Sequence, residues 1–310
     1  MILTITLNPA LDKSISVPKL IPDKKMRCPN PTVEAGGGGI NISKAIKELG
    51  GESIALFPSG GSNGKLLEQL LTKEGIKIKV IPIEEETRAG FAVTDLSTDS
   101  QYRFVAPGPT LTADTLEACL NEVENCKPVP EIVIFSGSLP PGLSPDVAAK
   151  FAAVCRRIGA RFIADTSGDI LKQAVHEGVY LLKPNLSELC FLVGKESLEL
   201  FEVEDAAKSI IDKGNCEVII VSMGPSGALL LTKDICKRIP SPNVKKISTI
   251  GAGDSMVAGM AYMLSQGKPI LEVVQFGVAC GTAAIMTEGS QLFKKEDVLK
   301  LFEWIKAHCG

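Results

Sequence analysis

The chain has 310 residues, 45% of them hydrophobic and 22% charged, with a formal net charge of −3 and nine cysteines. This is an ordinary globular composition near the size at which one core stops growing, so a single domain over 1–310 with at most a small accessory element is expected. The acidic balance argues against a nucleic-acid partner, no apolar run reaches the ~18 residues of a membrane span, and an odd set of cysteines without a CxxC pair predicts reduced thiols rather than a disulfide framework or zinc site.

The first residues lack the basic start of a signal peptide, so a cytoplasmic location is expected. Residues 2–7 are apolar and β-branched and predict a buried strand, followed by the polar motif Asn8-Pro9-Ala10-Leu11-Asp12. A further strand over 14–20 is possible before two cations, Lys25 and Arg27. The glycine run Gly36–Gly39 then leads through Ile40 and Asn41 into an amphipathic helix over 40–49. A strand at 53–57 and a helix at 64–74 follow.

Residues 89–96 and 101–105 alternate apolar and polar around Ser97-Thr98-Asp99-Ser100, which predicts a β-hairpin flanked by Arg88 and carrying Arg103. No helix is in sequence reach to cover it, so a lid from about 12–33 and 88–108 is expected to close over a ligand or pair with a second subunit. Beyond it, strands at 132–135, 161–165, 180–182 and 217–222 alternate with helices at 112–125, 145–158 and 203–213. This alternation predicts an α/β fold with a mostly parallel sheet covered on both faces. Two weakly charged helices at 254–264 and 270–286 and an amphipathic one at 295–308 complete the chain.

In such sheets ligands bind beyond the C-terminal ends of the strands. Polar motifs stand at those ends: Asn8–Asp12, Ser136-Gly137-Ser138, Asp165-Thr166-Ser167-Gly168, Lys183-Pro184-Asn185 and Ser222-Met223-Gly224. With only His176 and His308 in the chain, serine–histidine catalysis and histidine-rich metal sites are improbable. Chemistry falls to carboxylates, cations and backbone amides. The glycine run is no dinucleotide fingerprint, because Asn41 takes the place of the third glycine, and no Walker A motif is present. That argues against a nicotinamide dehydrogenase.

The stronger cluster is Gly251-Ala252-Gly253-Asp254, directly before an apolar helix. Small residues at a helix start leave amide N–H groups free, which makes an anion hole suited to a transferring phosphoryl group. Asp254 on its rim is either a general base or a plain helix cap. Lys183 can reach nucleotide phosphates. Asn185 and Glu188, three apart, can both face a hydrated magnesium ion, with Asp165 a second candidate for that shell. Arg88, Arg103, Lys25 and Arg27 can grip a phosphate already on the substrate.

Taken together, the motifs at 8–12, 36–41, 136–142, 183–188, 222–227 and 248–254 resemble, in order and nearly end to end, the ribokinase-like phosphofructokinase-B sugar kinase family. The resemblance implies a three-layer fold with a small β-sheet lid, and ATP-dependent phosphorylation of a sugar phosphate. Segments at 25–28, 57–61, 101–108 and 248–256 are similar to the minor bacterial 6-phosphofructokinases, which implies fructose-6-phosphate as substrate. Tagatose-6-phosphate or fructose-1-phosphate remains the alternative; family members for those sugars commonly carry lysine where this chain has Gly38. A non-catalytic nucleotide-binding regulator is the more distant alternative.

Residue by residue, the resemblance implies Asp254 as base and Gly251, Ala252 and Gly253 as anion hole. It places Asp12, Gly37, Gly38, Asn41 and Ser138 on the sugar. Arg88, Arg103 and Lys25 fall on its phosphate, Lys25 acting at the neighbouring subunit of a homodimer joined through the lid. Lys183, Asn185, Ser222, Gly224, Gly227 and Thr249 serve ATP, and Glu188 and Asp165 serve Mg2+. A monovalent cation, K+, would sit on the carbonyls of Ser248, Ile250, Ala284 and Gly289, with Gln291 a departure from the closest pattern.

Overall fold

A computed structural model of the protein describes residues 1–287 and 292–309. Thirteen strands among these residues form two sheets. The larger has nine strands: β1 (Ile2–Ile5), β4 (Ser53–Ser59), β5 (Lys77–Pro82), β8 (Ile132–Ser136), β9 (Arg161–Asp165), β10 (Val179–Leu182), β11 (Cys216–Ser222), β12 (Ala228–Leu231) and β13 (Cys236–Ile239). Their order is β13-β12-β11-β10-β9-β8-β1-β4-β5. Pairing is parallel from β5 to β11, and antiparallel only where the β12–β13 hairpin adds the far edge.

The strands are apolar without alternation because both faces are buried, and the side chains divide strictly between two cores. Leu3, Ile5, Val133, Phe135, Phe162, Ile219 and Val221 point to one face. Ile2, Ile132, Ile134, Ile163, Val218 and Ile220 point to the other. This is the period-two geometry of a strand, with a helical layer on each side. The first layer holds α3 (Ala113–Glu124), α4 (Val147–Ile158), α5 (Gly168–Glu177), α6 (Leu186–Val193) and α7 (Val203–Asp212). The second holds α1 (Gly38–Glu48), α8 (Ala252–Ser265), α9 (Ile270–Ala284) and α10 (Lys295–His308). Helices α8 and α9 are buried nearly all round, as their scarcity of charge foretells.

The smaller sheet has four strands in the order β3-β2-β6-β7: β3 (Thr32–Gly36), β2 (Ala10–Val17), β6 (Arg88–Asp95) and β7 (Ser100–Val105). The expected hairpin is β6–β7, joined antiparallel. The strand read at 14–20 begins earlier, at Ala10, because Asn8-Pro9 turns the chain out of β1. The expectation that no helix covers this sheet is corrected. Leu67 and Leu71 of α2 (Gly61–Lys73) pack with Leu11, Ala35, Ala55 and Phe57 in a third core that joins the two sheets. The outer strands remain open: Phe91, Tyr102, Phe104 and Val105 are exposed.

Strand β1 lies between β4 and β8, where the chain's direction of travel through the sheet reverses. Such a switch point opens a crevice at the strands' C-terminal ends. Asn8–Asp12 leaves β1 there, and Ser136–Ser138 leaves β8 beside it.

Candidate active site

The N-terminus of α8 forms one end of the crevice. Gly251 is its N-cap in the left-handed region, φ +72°, a backbone that glycine adopts without strain. The first intrahelical bond runs from Ser255 N to Gly251 O, 2.8 Å, so the amides of Ala252, Gly253 and Asp254 have no acceptor within the helix. Asp254 stands in the first turn without capping it. Its Oδ2 instead accepts a 2.8 Å hydrogen bond from Asn41 Nδ2, across 213 residues of sequence. That contact decides against the plain helix-cap reading. Burial, and then the nearby Asp165 charge, push the Asp254 carboxyl up to about 6, with Asn41 and Lys183 pulling against them.

Lys183 follows β10 directly. It is 8% exposed, and its Nζ lies 3.3 Å from Asp165 Oδ1 at the end of neighbouring β9. Burial opposes the ammonium charge, but Asp165, Glu188 and Asp254 outweigh it and raise the Lys183 pKa. A Cβ added to Gly253 would lie 3.5 Å from Lys183 Nζ, so the ammonium faces the helix start. Asp165 also accepts a long bond from Ser136 Oγ, 3.5 Å.

Asn185 and Glu188 do not both turn freely outward as their spacing predicts. They form a capping box: Asn185 Oδ1 accepts from Glu188 N and Glu188 Oε2 accepts from Asn185 N, both 2.9 Å. One Glu188 oxygen is left over, and burial raises this carboxyl's pKa. Ser222, bridged to Asn185, and exposed Gly224 stand at the end of β11. Gly227 has φ +83° and closes that turn, its carbonyl accepting from Met223 N. Thr249 is exposed just before the α8 cap.

No group of three or more metal-binding side chains exists among the described residues. Glu188 and Asp165 beside Lys183 nevertheless fit magnesium, which keeps several waters and takes one or two carboxylates plus phosphate oxygens. The monovalent-cation set fits less well. The Ala284 carbonyl already accepts from Thr287 N and Oγ1, at 3.3 and 2.8 Å, and Gly289 and Gln291 lie outside the described residues.

The other end of the crevice is charged differently. Asp12, on β2, sits against Gly36 and Gly90, where any side chain would collide with its carboxylate. Burial raises its pKa, opposed by Arg103 and Arg88, with Glu34 adding to the rise and Lys44 opposing it. Arg88 is half-buried; its Nη2 donates to Asn8 O at 3.0 Å and its Nη1 to Ala106 O at 3.2 Å. Burial lowers its pKa, and Asp12 opposes that. Arg103 is exposed on β7, opposite Ala92. Lys25 and Arg27 are exposed in the 18–31 segment, and no contact ties them to this cluster.

Between the two ends lies the glycine run. Gly37, φ +125°, and Gly39 lie against Thr6, whose Oγ1 accepts from Ile40 N at 3.0 Å. Gly38 lies against Ser136 Oγ. Ser138 is exposed and bonded to Asn8 Nδ2 at 3.3 Å. Sequence reasoning singled out neither Asn8 nor Thr6 as individual residues; their partners are 34 to 131 positions away, and only the motif's place after β1 hinted at them.

A carboxylate held beside free helix amides and an ammonium can take a proton from a hydroxyl while a phosphoryl group is stabilised. The family of pfkB carbohydrate kinases matches residues 4–297. The chain belongs to that family. This pfkB-family chain is 44% identical over 302 residues to the ATP-dependent 6-phosphofructokinase isozyme 2 of Mycobacterium tuberculosis, covering 97% of this chain and 89% of the relative. The crystal structure of phosphofructokinase-2 from Escherichia coli in complex with fructose-6-phosphate superposes with a TM-score of 0.92 at 36% identity, covering 98% and 99% of the two chains. Arabidopsis thaliana ribokinase, complexed with ribose and ATP, shares the fold at 19% identity with a TM-score of 0.74, covering 97% and 98%. The fold is therefore ribokinase-like, as the motifs imply.

Proposed function

We propose that the chain is an ATP-dependent 6-phosphofructokinase that transfers the γ-phosphoryl group of ATP to the free primary hydroxyl of fructose-6-phosphate. The single observation that carries this reading is the two-ended crevice. Asp254, held by Asn41 beside open helix amides, occupies one end, and the Arg88–Arg103–Asp12 cluster occupies the other. A sugar with one free hydroxyl and one phosphate spans such a site.

Asp254 accepts the proton of the attacking hydroxyl, and a pKa near neutrality suits a base that must be ionised yet basic. The amides of Gly251, Ala252 and Gly253, with Lys183, take the charge spread over the transferring oxygens. Asp12, Asn41, Gly37, Gly38 and Ser138 hold the sugar body. Arg88 and Arg103 hold its phosphate, and Lys25 reaches the phosphate bound by the other subunit of a homodimer. The exposed aromatic face of β6 and β7 supports that pairing. Asn185, Ser222, Gly224, Gly227 and Thr249 line the nucleotide's place. Glu188 and Asp165 hold Mg2+ through water; when bound, the ion neutralises phosphate charge and orients the chain for in-line attack.

The test is ADP release with magnesium-ATP and fructose-6-phosphate, tagatose-6-phosphate, fructose-1-phosphate, fructose and ribose side by side. The highest kcat/KM is expected on fructose-6-phosphate. A preference for another sugar moves the specificity and keeps the site. No turnover on any, with ATP bound, would make the chain a nucleotide-binding regulator.

A further inference from the structure

We infer that Asn8 is a positioning residue that locks the sugar-hydroxyl contact to the phosphate clamp. The inference rests on the sugar-phosphate reading of the crevice. Asn8 leaves β1 just before Pro9, which forces extended backbone at this position. It is 5% exposed and makes three bonds to two other parts of the site. Its Nδ2 donates to Ser138 Oγ and to Leu139 O, each at 3.3 Å, after β8. Its backbone carbonyl accepts from Arg88 Nη2, at 3.0 Å, where the small sheet begins.

The same side chain meets the chain's return from the small sheet. A Cβ at Gly108 would collide with Asn8 Oδ1, so the return passes only because residue 108 is glycine. Arg88 in turn bonds Ala106 O, two residues before that passage. Asn8 therefore touches the outgoing crossing, the incoming crossing and the Ser138 turn at once. Its Oδ1 and the Nε of Arg88 are both buried polar atoms lacking a hydrogen-bond partner. Such groups carry a standing cost and persist where geometry is held for another purpose. A bidentate grip on a phosphate depends on guanidinium orientation, which Asn8 and Ala106 set from opposite sides.

The test uses the full-length chain and four variants: Asn8→Leu, which keeps bulk without donors; Asn8→Ser, which keeps a short donor; Ser138→Ala; and Asn8→Leu/Ser138→Ala. Thermal unfolding screens the fold, and Asn8→Ser carries the test if Asn8→Leu does not fold. The expected result is KM for fructose-6-phosphate raised about tenfold, from the loss of two hydrogen bonds, with KM for ATP unchanged within about twofold. The double variant should be no worse than the worse single one, because Asn8 acts through Ser138. Unchanged sugar KM, a parallel rise in both KM values, or additive losses would overturn the role of Asn8. A wild-type chain without turnover on any sugar phosphate would sink the underlying reading instead, so the two failures are distinguishable.

Discussion

Replacing Asn41 by alanine isolates the one hydrogen bond that Asp254 receives from a side chain. The bond is 2.8 Å long and made to a charged acceptor, a class worth about 1.5–3 kcal/mol. Water entering the vacated space recovers part of this, so the lower bound is the better guide. At 1.36 kcal/mol per pH unit, the Asp254 pKa rises by about one unit. Asn41 lowers a carboxyl that burial and Asp165 hold at about 6, so removing it moves the pKa upward, toward about 7.

The assay is kcat/KM against pH from about 5 to 9, which reports the free enzyme's essential base. The acid limb should move up by about one unit in Asn41→Ala. Sugar phosphates titrate near pH 6 as well, but equally for both proteins, so the difference belongs to the enzyme. Turnover at pH 7 should fall about twofold from ionisation alone and recover at pH 9. An unmoved acid limb, or one moved down, would refute the claim that Asn41 tunes Asp254.

Asp254→Asn should lose about 10²–10⁴-fold in kcat while folding normally. It should also be more stable than wild type at pH 8, by on the order of 2 kcal/mol. The folded pKa lies above the unfolded one for a carboxyl, so wild type is penalised when ionised. Denaturant unfolding should show the gap closing as pH falls through about 6 toward 4. Arg88→Ala should raise KM for fructose-6-phosphate about tenfold or more and leave KM for ATP nearly unchanged, read from initial rates. Phe151→Ala empties a fully buried place on α4 beside Phe135, ring centroids 5.7 Å apart, and should cost about 3–5 kcal/mol in urea unfolding.

Much of the architecture was written in local pattern. Buried parallel strands such as β8 and β11 need apolar β-branched residues on both faces, and their runs stand out against polar flanks. The β6–β7 hairpin alternates because its two faces differ in surroundings. Strands β3, β5, β12 and β13 were not legible. β5 alternates lysine with isoleucine and valine at a sheet edge, β12 is too short to tell from a helix, and β3 is a strand only because β2 pairs with it. Helix α5 was missed because its pattern ran into the turn after Asp165.

In the site, the α8 cluster was readable because anion-binding amides, their glycines and Asp254 are contiguous. The Asn41–Asp254 bond, the Asn8 junction and the aim of Arg88 at two main-chain carbonyls were not, since each joins distant residues. The capping box shows the opposite error. Asn185 and Glu188 have the spacing of a shared ion site, and helix-end chemistry engages that spacing first.

The place of β1 between β4 and β8 also sets the order in which the protein can be made. β1 gains one neighbour once residue 59 exists, but its other neighbour ends at residue 136, after the small sheet and α3. At ~5–20 residues per second of synthesis, the central strand waits roughly ten seconds with one backbone edge unpaired. From β8 to β13, by contrast, each new strand lands beside the one just finished. The nascent chain is thus most open to aggregation, and most in need of a chaperone, while its catalytic crevice has only one wall.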